Sequence, residues 1–143
     1  MSSYAKRARE IGLTAELLAS LCFEACPERA PVWFKSLRRA TSEEDAKGID
    51  LVVEIDLGQV LIQVKSSWSR AKEFVEKHPE IPVLVVHPED SEDRVRRNLL
   101  RIVRYERAKL DPNYDPTKDG LRPPVPKTKQ PLLGATVRDR VRR

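Results

Sequence analysis

The spacing of apolar residues changes period several times along the chain, and each change predicts an element. Over residues 4–26, Ile11, Ala15, Leu18, Cys22 and Ala25 recur at intervals of three and four, the stripe of an amphipathic helix whose exit is bracketed by Pro27 and Pro31. "VWFKSL" (32–37) predicts a strand, and the charged "RRATSEEDAKG" after it a loop. Period-2 alternation then predicts strands at about 49–56 and 59–65. "SSWSRAKEFVEKH" offers serines for an N-cap and puts Trp68, Ala71 and Val75 on one helical face. "IPVLVVHP" is a short continuous apolar run, suited to a strand covered on both sides. From Ser91 to Leu110 a long helix is expected, with Val95, Leu99, Ile102, Val103 and Leu110 as its stripe.

The predicted order is α-β-β-β-α-β-α. A helix between the third and fourth strands implies a parallel pair there, while the first three strands suit an antiparallel meander. The fold class is therefore α/β, a mixed sheet with helices on its faces. Residues 111–143 hold six of the eleven prolines, which excludes a regular helix over "DPNYDPTKDGLRPPVPKTKQP". The chain thus divides into a domain, 1–110, and a Pro-rich basic tail or arm, 111–143, which could end in a short basic turn, "GATVRDRVRR".

Composition narrows the class. With 143 residues, 40% hydrophobic and 34% charged, the chain suits one globular domain with a real core. No apolar run approaches the roughly 20 residues of a membrane helix. The start, "MSSYAKRAREIG", lacks a signal peptide's apolar segment, so a cytoplasmic location is expected. Cys22 and Cys26 read as small apolar positions on a helix, and His78 and His87 give no zinc-ligand spacing. The net charge of +5 is uneven: residues 1–110 carry 19 basic and 18 acidic side chains, and residues 111–143 carry eight and four. Such an excess is compatible with nucleic acid and is also common without it.

The hairpin "GIDLVVEIDLGQVLIQVKSS" (48–67) carries the candidate chemistry. A two-residue Leu57-Gly58 turn would set Asp56 opposite Gln59, Val52 opposite Gln63 and Asp50 opposite Lys65. Ile49, Leu51, Val53 and Ile55 then share one face with Val60, Ile62 and Val64, and Asp50, Gln63 and Lys65 share the other. Carboxylate and carbonyl oxygens are the ligands Mg2+ and Mn2+ prefer, and a lysine beside them can steady negative charge on a phosphate. The same spacing equally suits a cross-strand Asp–Lys ion pair on a solvated face, worth about 0–1 kcal/mol.

Asp50, the Gln63-Val64-Lys65 tripeptide and a glutamate on the preceding helix resemble the signature of the PD-(D/E)XK nuclease superfamily, the restriction-endonuclease-like fold. "GLTAELLASL" resembles the Gly-x-x-x-Glu helix start of its resolvase-like branch, which points to Glu16, with Glu10 as the alternative acid. The resemblance covers about residues 10–110. It departs from the pattern at Gln63, where Glu or Asp is usual, and at Ile49, where Pro is common before the aspartate. It implies a Mg2+- or Mn2+-dependent endonuclease acting on nucleic acid, DNA by family analogy. Asp50, Gln63, the Val64 carbonyl and Glu16 would hold the metal, and Lys65 would position the water or stabilise the transition state. Asp45 is a further acid in reach, and Ser66 and Ser67 are candidate phosphate contacts, one of them also an expected N-cap. Trp68 reads as core or as a base-stacking ring.

Residues 94–110 carry Arg94, Arg96, Arg97, Arg101, Arg104, Arg107 and Lys109 against Glu106 alone. Arg97, Arg101 and Arg104 are candidate backbone-phosphate contacts, although a solvated helix face reads the same way. The tail is a candidate arm for a protein partner or for homo-oligomers. Gln63 keeps open a catalytically degenerate module that binds nucleic acid or protein, and the tail keeps open an assembly role.

Overall fold

The computed structural model describes residues 14–113 and Lys6. Its elements run α1 (Ala15–Ser20), a 3-10 turn (Pro27–Arg29), β1 (Phe34–Arg39), α2 (Ser42–Ala46), β2 (Leu51–Ile55), β3 (Gly58–Lys65), α3 (Trp68–Lys77), β4 (Val83–Val85) and α4 (Glu92–Leu110). The protein is α/β, with a four-stranded mixed sheet in the order β1-β2-β3-β4. β1, β2 and β3 form the expected antiparallel meander, and β4 joins β3 in parallel after the α3 crossover.

The alternation read from the hairpin sorts the core. Leu51, Val53, Ile55, Val60, Ile62 and Val64 pack with Leu18, Cys22, Val95, Leu99 and Val103 of the helical layer on one side. Ala71, Val83 and Val85 form a second cluster with Trp68, Phe74 and Val75 of α3. Burying a Leu, Ile or Val side chain contributes about 1.5–3 kcal/mol, so these clusters fix which face each strand residue takes. Trp68 is thus a packing residue. α4 buries Val95, Leu99, Ile102 and Val103 of its expected stripe, while Leu110, expected on the same stripe, is exposed at the helix end. No helix among the described residues is long and apolar enough to cross a membrane.

Three local expectations are corrected. The first helix stops at Ser20, short of residue 26. Arg96 of α4 donates to the Cys22 carbonyl at 2.8 Å, the acceptor a continuing helix would need. Phe23 turns inward onto Phe34, with ring centroids 4.9 Å apart. Ala25, expected on the apolar stripe, is exposed.

The expected loop at 38–48 contains α2. Thr41 and Glu44 form a capping box: the Thr41 hydroxyl accepts from Glu44 N–H, and the Glu44 carboxylate accepts from Thr41 N–H at 2.8 Å. Glu44 also takes a bidentate pair from Arg38 at 2.8 and 3.0 Å, which ties α2 to β1 and holds the Glu44 carboxyl down at about 2.

The hairpin loop is Asp56-Leu57, with Ile55 opposite Gly58 and Val52 opposite Leu61, where Gln63 was expected. Asp56 is drawn out of the β2–β3 ladder by Arg107, whose guanidinium donates to it at 2.6 and 2.9 Å. The displacement is two residues along β3, and a slip of two leaves every side chain on its face. Glu10, Ile11 and Gly12, and the tail beyond Asn113, lie outside the described residues.

Candidate functional site

Gly48 sets the entry to β2. Its φ of +87° turns the chain out of α2, and a Cβ there would stand 3.3 Å from Phe74 Cζ. Two residues later the Asp50 N–H donates to the Ile62 carbonyl at 2.9 Å, and the Asp50 carboxylate accepts the Val64 N–H at 2.8 Å. Asp50 is only 6% exposed. It is held against β3 by its own side chain just where the strand pairing of β2 runs out.

Two more carboxylates meet it. Oxygen atoms of Glu16, Asp45 and Asp50 lie within 4.8 Å of one another. Asp45 comes from α2, whose position the capping box and the Arg38 pair fix. Glu16 lies in the first turn of α1, after the Thr14 N-cap. It stands off the Leu18–Cys22 stripe, but helical side chains lean toward the N-terminus, so a first-turn glutamate reaches past the helix end. Burial pushes the Asp50 carboxyl up to about 6, against the lowering effect of the Val64 N–H and with the Glu16 and Asp45 charges adding to the rise.

A cavity of about 390 Å³ collects these acids with Gln63, Val64, Lys65, Ser66 and Arg70. Asp50, Gln63 and Lys65 are thus brought together, as the hairpin reading expected. Gln63 is 8% exposed, and its amide nitrogen donates to the Val64 carbonyl at 3.4 Å. Its Oε1 is buried with no hydrogen-bond partner. An unsatisfied buried carbonyl costs about 1–3 kcal/mol, so it invites an electropositive partner. The three carboxylates offer the oxygen donors that a hard divalent cation takes. The Lys65 ammonium sits 5.1 Å from the Phe74 ring centroid, over its face, an arrangement that holds it beside the cavity.

Ser67 is the N-cap of α3, its hydroxyl accepting from Arg70 N–H at 3.3 Å, while Ser66 is exposed at the cavity. Arg97, Arg101 and Arg104 are exposed on α4, away from that lining. With Arg94 they span about 80° of the helix circumference at 100° per residue. Two other arginines of that helix are internal ties: Arg96 is buried on Cys22 and Asp93, and Arg107 pairs with Asp56. The free positive charge of α4 is therefore smaller than its composition suggests.

Sequence reasoning missed Arg70 as a cavity residue. Its signal was its place three residues after the N-cap serine, one helical turn from the end that faces the cavity. Both cysteines are free thiols, Cys22 buried with its thiol pushed up to about 12 by that burial. No family model, curated protein or solved structure matches the chain.

Proposed function

We propose that this chain is a divalent-metal-dependent nuclease that hydrolyses nucleic-acid phosphodiesters, with DNA as substrate and Mg2+ or Mn2+ as cofactor, on a restriction-endonuclease-like core. The observation that carries the reading is the convergence of the Glu16, Asp45 and Asp50 carboxylates in a cavity that Gln63 and Lys65 also line. The α-β-β-β-α-β-α order, with α2 added between β1 and β2, supports the core assignment.

A bound divalent ion would supply Lewis acidity and lower the pKa of a water. Asp50, Glu16 and Asp45 would hold it, with Gln63 and the Val64 carbonyl as further oxygen ligands. Lys65 carries its charge where negative charge grows on a phosphate under attack, and its ammonium can orient the incoming water. Phe74 beneath it limits how far that ammonium moves. Arg97, Arg101 and Arg104 would meet the phosphate backbone away from the reacting bond. Gln63, an amide where a carboxylate would bind a cation more strongly, favours a second reading: a non-catalytic module of the same fold that binds nucleic acid or a protein.

The test is cleavage of plasmid, linear, branched and single-stranded substrates with Mg2+ or Mn2+. The nuclease reading expects turnover that chelation abolishes and that Lys65→Ala lowers by roughly 10²–10³-fold, the usual cost of removing one preorganised charge stabiliser. Equal turnover by wild type and Lys65→Ala would remove Lys65 from the chemistry. No turnover on any substrate, with binding retained, would favour the module.

A further inference from the structure

Several basic side chains outside the cavity close onto carboxylates: Arg38 on Glu44, Arg96 on Asp93, Arg107 on Asp56 and Lys109 on Glu106, all between 2.6 and 3.1 Å. In the cavity they do not. Glu16, Asp45 and Asp50 line it together with Lys65 and Arg70, and among the described residues no ion pair joins the two sets. The Lys65 ammonium rests on the Phe74 ring instead. Arg70 is exposed at the cavity, and among the described residues its guanidinium has no carboxylate partner. A cavity whose described acids and bases do not pair with each other is complementary to a ligand that is itself an ion pair, a cation toward the acids and an anion toward the bases.

We infer that Arg70 and Lys65 form a phosphate subsite, in which the Arg70 guanidinium grips the non-bridging oxygens of a nucleic-acid phosphodiester next to the group that Lys65 faces. This rests on the nuclease reading for its substrate class. A guanidinium offers two parallel N–H donors that match two phosphate oxygens, and a lysine offers only a point charge. The backbone of Arg70 is fixed by its N–H on the Ser67 cap, so the side chain projects from the first turn of α3 at a set height beside the cavity. Arg70 is then a substrate-binding residue that orients the phosphate.

The test is binding without turnover. Fluorescence anisotropy of a short labelled single-stranded oligonucleotide in Ca2+ compares wild type, Arg70→Gln, Arg70→Lys and Lys72→Gln. Lys72 is exposed on the same helix and does not line the cavity, so its variant removes the same charge without touching the subsite. The expected result is a roughly tenfold loss of affinity for Arg70→Gln, partial recovery in Arg70→Lys, and a salt slope reduced by about 0.7 for the one phosphate no longer neutralised. Lys72→Gln should bind close to wild type, Mn2+ affinity should be undiminished in Arg70→Gln, and inorganic phosphate should compete only weakly. Equal losses in Arg70→Gln and Lys72→Gln would reduce the effect to general electrostatics and overturn the subsite. So would wild-type affinity in Arg70→Gln, or no oligonucleotide binding by the wild type. A protein that binds as described yet cleaves nothing would sink the nuclease reading alone.

Discussion

Asp50 is buried, accepts one backbone N–H and faces two further carboxylates, so its ionisation is costly. The sign of the resulting pH dependence follows from its carboxyl being pushed up from 3.8 to about 6. Below the lower value, folded and unfolded chains both hold the proton and the group contributes nothing. Between the two values the unfolded chain ionises first, so stability falls as pH rises, and above about 6 the whole penalty is in place. Asp50→Asn removes the ionisation and keeps an oxygen for the Val64 N–H. In chelator its stability relative to wild type should therefore rise between pH 4 and pH 7.5 by roughly 2–2.5 kcal/mol, measured by urea unfolding at each pH. An offset that stays constant with pH would mean that Asp50 is not strained by its neighbours. Asp50 and Lys65 were legible in the sequence because a short strand pair fixes their alternation. Spacing brings Asp45 within reach but cannot fix its approach, which depends on the Arg38–Glu44 pair across two elements.

Among the elements, α3 and α4 were readable because each carries an N-cap serine followed by a stripe at helical period, and burial of that stripe decides the rest. α2 has five residues and no buried side chain, so periodicity is silent there. Its one signal is the Thr-x-x-Glu of the capping box. α1 ends earlier than its stripe predicts, and just beyond its end Arg96, a residue 74 positions from Cys22, donates to the Cys22 carbonyl. The same hydrogen bond shows why charge counts mislead on α4: Arg96 and Arg107 are structural, and Arg97 shares Asp93 at 3.4 Å, while Arg101 and Arg104 stand exposed. If α4 meets the duplex backbone, replacing Arg97, Arg101 and Arg104 with Gln should weaken DNA binding and flatten its log–log salt dependence by about 0.9 for each phosphate left without its arginine. Binding identical to wild type at every salt concentration would leave these arginines as a solvated face.

On the scale of the whole molecule, the cavity draws residues from α1, α2, β3 and α3 and from the turn into β2, spread over Thr14 to Arg70 in sequence. Local spacing could align only those that share one hairpin. What joins the rest is the sheet, which carries Asp50 to its edge of pairing and packs helices on both sides of it. The central claim is that this convergence holds a divalent cation through Asp50. Calorimetric titration with Mn2+ at pH 6, in two buffers of different ionisation enthalpy, tests it most directly. The account predicts one binding event that releases about half a proton, because Asp50 is near its midpoint there and must lose its proton to bind, and a loss of most of that affinity in Asp50→Asn. Equal Mn2+ binding by the two proteins, or no heat of binding in the wild type, would contradict it.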